Sequence, residues 1–326
     1  MKNDIVASDL KTILHSKRAN IYYLEHCRVL VHGGRVEYVT DAGKKSLYWN
    51  IPIANTTTML LGTGTSITQA AMRELGKAGV MVGFCGGGGT PLFSANDQDV
   101  AVSWLCPQSE YRPTQYMQAW VLFWFNDTAR LDAAKAFQYA RLRCIERSWT
   151  KPKTFGDAEF SVDVERLRAL LESSHEAMQQ AMDPMLLLTE EARMSKELFK
   201  LAARGVGYGQ FTRAKRGNGT DPANRLLDHG NYLAYGLGAT ATWVLGIPHG
   251  LAVMHGKTRR GGLVFDVADL VKDAMVLPQA FISAMRGDDE QTFRQSCIDV
   301  FTRCEALDFM IETVKDVALN MAKAIE

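Results

Sequence analysis

The chain reads as an α+β protein, a β-rich N-terminal domain over residues 1–105 followed by a larger all-α domain over 106–326. Three observations lead there. The first hundred or so residues carry short β-branched and aromatic runs punctuated by glycine turns. Beyond that point the apolar residues switch to helical spacing. A length of 326 residues suits two domains that each bury a core.

In chain order, Ile21–Leu24 and Cys27–His32 are strand-like runs, and Gly33-Gly34 turns the chain into Val36–Val39. Leu47–Ile53 adds an aromatic run broken at Pro52, and Met59–Leu61 leads into Gly62-Thr-Gly-Thr-Ser66. A helical pattern follows from Ile67 to Ala78, with Ser66 its expected N-cap. Val80–Cys85 is a strand, Gly86–Gly89 a hairpin tip and Pro91–Phe93 the returning partner. The glycines do not make a nucleotide site. Ile67 stands where a GxGxxG pattern needs glycine, and no GK[ST] follows. Turns and close backbone approach account for them.

In the second half, Pro113 opens a helix whose apolar residues run from Tyr116 to Arg147, rich in aromatics such as Trp120, Phe123, Trp124, Phe137 and Tyr139. That stripe reads as core or subunit interface. Further helices are expected over Val162–Met182, Leu186–Ala203, Leu226–Leu245 and, as a last amphipathic region, Asp289–Ala324. The stretch Arg204–Asn224 sets Arg213, Lys215 and Arg216 among glycines, which makes it either a linker or a phosphate-contacting segment. In the second case Arg213 and Lys215 face DNA.

Formal net charge is +1, so any polyanion must be met by local basic patches. The six cysteines form no CxxC, which points to reduced thiols. The N-terminus MKNDIVASDLK lacks a signal-peptide core, and Met117–Phe125 is too short to span a bilayer. A soluble cytoplasmic protein is expected.

The chemistry concentrates in Leu251–Lys272. His255 sits beside the cations Lys257, Arg259 and Arg260, and an amphipathic run then carries Asp266 and Asp269. Three residues apart on a helix, the two carboxylates share a face, and like charges there call for a cation between them. Carboxylates suit Mg²⁺ and Mn²⁺, and one imidazole tilts the choice towards Mn²⁺ or Zn²⁺ without excluding Mg²⁺. No GxSxG, HExxH or tandem His-Asp motif offers another route. Such a metal site among lysines and arginines suits phosphodiester chemistry. Glu190, Glu191, Glu197, Asp221 and Asp228 are all eligible as the third ligand.

Several segments in order resemble the CRISPR-associated spacer-acquisition integrases, the universal adaptation nucleases of bacterial and archaeal immunity. They are LLGTGTSIT (60–68), Val80–Pro91, TEEAR (189–193), DPANRLL (221–227), VMHGK (253–257) and FDVADLVK (265–272). Overall length and the Arg-Gly-Gly insertion after His255 resemble the type I-F branch. The resemblance implies Glu190, His255 and Asp269 as metal ligands, with Asp266 shaping the site or binding a second ion. It implies that Lys257 and Lys272, with Arg259 and Arg260 in the same basic loop, face DNA, and that Asn224 and Tyr235 lie close to the site.

What the resemblance implies chemically is transesterification: a 3′-hydroxyl of a captured double-stranded DNA fragment attacks a phosphodiester at a CRISPR repeat, with Mg²⁺ or Mn²⁺ bound. It also implies a homodimer bridged by a small ferredoxin-like CRISPR-associated partner, fused in the I-F branch to a helicase-nuclease. The β domain would then serve dimerisation and DNA-end contacts. Two rivals remain. A stand-alone metal-dependent nuclease on branched DNA would use water as the nucleophile. A non-catalytic DNA-binding scaffold would have lost the chemistry, against which the three ligand residues argue.

Overall fold

The computed structural model describes residues 20–42, 45–84, 104–105, 113–156, 160–214, 221–256 and 261–325. The chain divides into two compact units, Met1–Tyr111 and Arg112–Glu326.

The first unit holds two four-stranded sheets. One is built from β1 (Asn20–Leu24), β5 (Thr56–Leu61), β7 (Met81–Phe84) and β8 (Trp104–Leu105), in that spatial order. β1, β5 and β7 run parallel, and β8 returns antiparallel to β7. The other sheet orders β4 (Lys45–Asn50), β3 (Arg35–Ala42), β2 (Arg28–His32) and β6 (Ser66–Ile67). Helix α1 (Gln69–Lys77) buries Ala71 and Leu75 in the core formed with Val29, Met59 and Val82. Its N-cap is Thr68, which accepts from Ala71 N at 3.2 Å, rather than the expected Ser66. Ser66 is instead paired to Arg28 as a strand residue, so the helix starts later. The glycines before it allow close approach: a Cβ on Gly62 would stand 2.6 Å from the Tyr23 hydroxyl, and Gly64 has φ +69° against His26. The expected Gly86–Gly89 hairpin and Pro91–Phe93 strand lie outside the described residues.

The second unit is helical. The expected Tyr116–Arg147 helix is two, α2 (Thr114–Trp124) and α3 (Asp127–Thr150), separated where Asn126 turns out of helix to cap Ala129 N at 3.0 Å. α4 (Val164–Gln180), α5 (Pro184–Gly205) and α6 (Pro222–Val244) each start at an aspartate N-cap, Asp163, Asp183 and Asp221. Proline in the first turn of α5 and α6 leaves no lost hydrogen bond there. The final region also splits, into α9 (Glu290–Arg303) and α10 (Ala306–Lys323), around the left-handed Glu305. No helix among the described residues is long and apolar enough to cross a membrane.

Between them lies the segment that positions the site. α7 (Gly262–Val271) is followed by a π-helical turn, Lys272–Val276, and then α8 (Leu277–Arg286). The expected amphipathic face is absent: all ten residues of α7 are buried, Asp266 and Asp269 included. α7 packs on α6 at Gly238, where a Cβ would lie 2.8 Å from Val264 O and 3.2 Å from Ala268 N. Backbone cannot yield as a side chain can. Gly238→Ala therefore should destabilise by roughly 1–3 kcal/mol through overpacking, although glycine-to-alanine in a helix ordinarily gains up to about 1 kcal/mol. A lowered denaturant midpoint checks this, and an unchanged or raised midpoint contradicts it.

Candidate metal centre

His255 lies in an irregular segment held from two sides. From α2, the indole Nε1 of Trp120 donates to Leu251 O at 3.0 Å and that of Trp124 to Ala252 O at 2.7 Å. From α7, Asp266 Oδ2 accepts the backbone N–H groups of Val253 (2.7 Å) and Met254 (3.2 Å). Asp266 Oδ1 accepts the His255 N–H at 3.1 Å and faces His255 Nδ1 at 2.7 Å. An ionised carboxylate only accepts, so Nδ1 carries the proton and Nε2 carries the lone pair when the ring is neutral. Asp266 thus holds both the His255 backbone and its ring, with each of its oxygens hydrogen-bonded.

Nε2 points towards Asp269 Oδ2 at 3.7 Å. Asp269 Oδ1 bonds Lys272 Nζ, whereas among the described residues Oδ2 is buried without a hydrogen-bond partner. Buried polar atoms are nearly always satisfied, so this oxygen marks a place where a cation fits. Glu191 completes the group. Among the described residues, Glu191, His255 and Asp269 bring one ligand atom each within 4.8 Å of one another. Two carboxylates and an imidazole form a hard, mixed O/N donor set that suits Mg²⁺ or Mn²⁺.

The glutamate in this group is not the expected Glu190. Glu190 lies a helical step round α5 and forms a two-pronged pair with Arg193, at 2.8 Å to Nε and 2.7 Å to Nη2. What distinguishes the neighbours is the partner each meets, not helical phase: both stand at helical spacing from Leu187 and Met194, and their side chains are 11% and 13% exposed. Glu190 takes the half-exposed Arg193, whereas Glu191 takes Arg141, which interrupts the buried stripe of α3 between Phe137 and Cys144.

Burial works against charge on these groups and is outweighed. Asp269 is held below the ordinary carboxylate range because Lys272, Arg141 and His255 overcome its desolvation. Lys272 is raised, its own desolvation being overcome chiefly by Asp269. Burial pulls the His255 pKa down, but its bond to Asp266 and the charges of Asp269, Asp266 and Glu191 lift it above 6.5.

The residues expected to face DNA fare differently. Lys272 is committed to Asp269. Asn224, 1% exposed, ties a knot at the start of α6: its Oδ1 accepts from Arg213 Nη1 (2.8 Å) and Ala214 N (3.0 Å), and its Nδ2 donates to Thr212 O (3.0 Å). Arg213 also pairs with Asp228. Arg213 and Asn224 are thus tied into the fold, to Ala214, Thr212 and Asp228 as well as to each other. Tyr235 is half-buried and packs edge-on against Phe265 at 4.8 Å. Lys215, Lys257, Arg259 and Arg260 lie outside the described residues.

A family model described as CRISPR associated protein Cas1 matches residues 22–295. The chain belongs to the Cas1 family. This Cas1 chain is 71% identical over 316 residues to the CRISPR-associated endonuclease Cas1 of Pseudomonas aeruginosa (strain UCBPP-PA14), covering 97% of this chain and 98% of that one. By fold it is similar to a TtCas1–DNA complex, at 22% identity with TM-score 0.60 over 93% of this chain and 91% of that one. It is likewise similar to a casposase bound to integration product, at 12% identity with TM-score 0.65 over 94% and 91%.

The geometry separates neighbouring glutamates by experiment. Glu191→Ala should weaken Mn²⁺ binding by more than the roughly 10–100-fold typical of losing a supporting residue. Glu190→Ala should leave it near wild type; equal losses would contradict the assignment. Protons compete for the His255 ring, so Mn²⁺ affinity should fall as pH drops from about 8 to about 5.5. A pH-independent affinity in a calorimetric titration would remove His255 from the set.

Proposed function

We propose that this Cas1-family chain is a metal-dependent DNA integrase of CRISPR adaptation, joining captured DNA fragments to the repeat as new spacers. The observation that carries the reading is the convergence, among the described residues, of Glu191, His255 and Asp269, with a buried Asp269 oxygen that has no hydrogen-bond partner there. These three residues would hold Mg²⁺ or Mn²⁺. When bound, the ion supplies a Lewis acid for a phosphodiester and lowers the pKa of an attacking hydroxyl.

The chain's own contribution is to hold that donor set ready. Asp266 keeps the proton on His255 Nδ1, and Lys272 holds Asp269 ionised and in place. In the reaction, a 3′-hydroxyl oxygen of the fragment forms a new bond to phosphorus at the repeat border. The P–O bond to the 3′ oxygen of the nucleotide flanking the repeat breaks, the phosphate stays on the repeat's 5′ oxygen, and the departing 3′ oxygen leaves with a proton. One phosphodiester replaces another, so no energy source is needed. The likeness to a casposase bound to integration product supports joining over cleavage alone, and that to a TtCas1–DNA complex supports DNA as the substrate.

Two joining events on opposite strands call for a twofold assembly. A homodimer acting in the cytoplasm with a small ferredoxin-like partner fits this, the resemblance to the type I-F branch suggesting a partner fused to a helicase-nuclease. Phosphate contacts from the Lys257–Arg260 and Lys215–Arg216 segments are the proposed DNA grip.

The test is strand transfer into a supercoiled plasmid bearing the repeat, with and without that partner. The purified protein with Mn²⁺ should yield joined products, and Asp269→Ala should abolish joining while DNA binding is largely kept. Cleaved plasmid without joined product would favour the stand-alone nuclease. Joining at the normal rate by Asp269→Ala would refute the site.

A further inference from the structure

We propose that Arg141 is the positioning residue of the metal centre, fixing which way the Glu191 carboxylate faces, with Asp273 in the π-helical turn as its counter-charge. This rests on the reading of Glu191, His255 and Asp269 as the ligand set.

Arg141 projects from α3 with 1% of its side chain exposed. Its Nη1 lies 2.8 Å from Glu191 Oε1 and donates to Gln138 Oε1 at 3.2 Å. Nε donates to Asp273 Oδ2 at 3.2 Å, and Nη2 reaches both Asp273 and, at 3.3 Å, Ser195 Oγ. One planar guanidinium therefore ties α3, α5 and the turn after α7 together. Its donors leave at fixed angles, so the place of Asp273 sets the place of Glu191. One Glu191 oxygen is engaged by Arg141, leaving the second oxygen for an ion. Gln138 extends the set by donating to Met254 Sδ at 3.1 Å, beside His255.

The local sequence explains how Asp273 comes to stand there. In the turn, Leu277 N–H donates to Lys272 O, five residues back. Continuing that pattern, residue 278 would donate to Asp273 O, but Pro278 has no N–H. The indole of Trp149, from α3, donates to that carbonyl instead at 3.1 Å. On the opposite side Gly230 makes room: a Cβ there would come 2.3 Å from Val276 Cγ1. Proline, tryptophan and glycine thus fit the widened turn, and Asp273 and Arg141 connect it to the ligand glutamate. π-turns set inside helices are frequent at functional sites.

A purely structural ion pair would give the same contacts, so the test separates stability from metal affinity. Wild type, Arg141→Gln, Arg141→Lys and Asp273→Asn are compared by apo thermal melting and by Mn²⁺ titration of the folded protein, read by calorimetry and by the electron paramagnetic resonance of bound Mn²⁺. Arg141→Gln should weaken Mn²⁺ about 10–100-fold, and Arg141→Lys, with charge but no fork, should recover only part of that loss. Asp273→Asn frees the guanidinium to swing onto Glu191, so it too should bind Mn²⁺ about tenfold or more weakly. Should Arg141→Gln not fold, the two milder variants decide. Variants that melt earlier yet bind Mn²⁺ as wild type does overturn the role of Arg141 alone. Wild type that binds no Mn²⁺ overturns the ligand set with it.

Discussion

Keeping several carboxylates ionised in one interior is the constraint on which the helical unit depends. Oxygens of Glu191 and Asp269 approach within 4.8 Å, where two unit charges repel by about 3–4 kcal/mol at an effective dielectric near 20. Asp266 and Asp273 stand close by. Each has its own remedy. Asp266 takes three backbone N–H groups and an imidazole, Asp273 takes a guanidinium, and Asp269 takes one lysine on one oxygen. Among the described residues, and with His255 neutral, the permanent cations Arg141 and Lys272 do not balance these carboxylates. Asp269 Oδ2, which has no hydrogen-bond partner there, is where a divalent cation would offset that charge.

Much of the fold serves that arrangement. The tryptophans of α2 hold the His255 segment by its carbonyls while Asp266 holds it by its amides. The segment is thus held without regular secondary structure, by two of its carbonyls and three of its amides. Gly238 lets α7 lie against the backbone of α6, and Gly230 admits the wide turn that follows. The aromatic stripe of α2 and α3 is core, with Trp120 and Phe123 fully buried. It is also the wall that shapes the loop.

The sequence made the architecture legible because it is periodic. The change from strand-like runs to helical spacing marks where β structure gives way to helix, though α5 and α6 start at Asp-Pro pairs ahead of the expected Leu186 and Leu226. Strand direction was not legible: β1, β5 and β7 are parallel, and no local signal tells a parallel neighbour from an antiparallel one. In the site, His255 and Asp269 could be found from spacing and resemblance. The TEEAR segment sets Glu190 and Glu191 side by side, and what separates them is the partner each meets in the fold, Arg193 for Glu190 and the buried Arg141 for Glu191. Asp266 shares a face with Asp269, as the three-residue spacing requires, yet it spends its charge on backbone amides that come from another segment. Lys272, Arg213 and Asn224 likewise meet partners within the fold that spacing does not announce.

The central claim is that one cation is held jointly by α5, α7 and the His255 segment, and anomalous scattering from crystals grown with Mn²⁺ tests it most directly. The account predicts a single peak bonded to a Glu191 oxygen, His255 Nε2 and Asp269 Oδ2, with Asp266 still on His255 Nδ1 and Glu190 still on Arg193. A peak ligated by Glu190 or Asp266, or no peak between Glu191, His255 and Asp269 at saturating Mn²⁺, would contradict it.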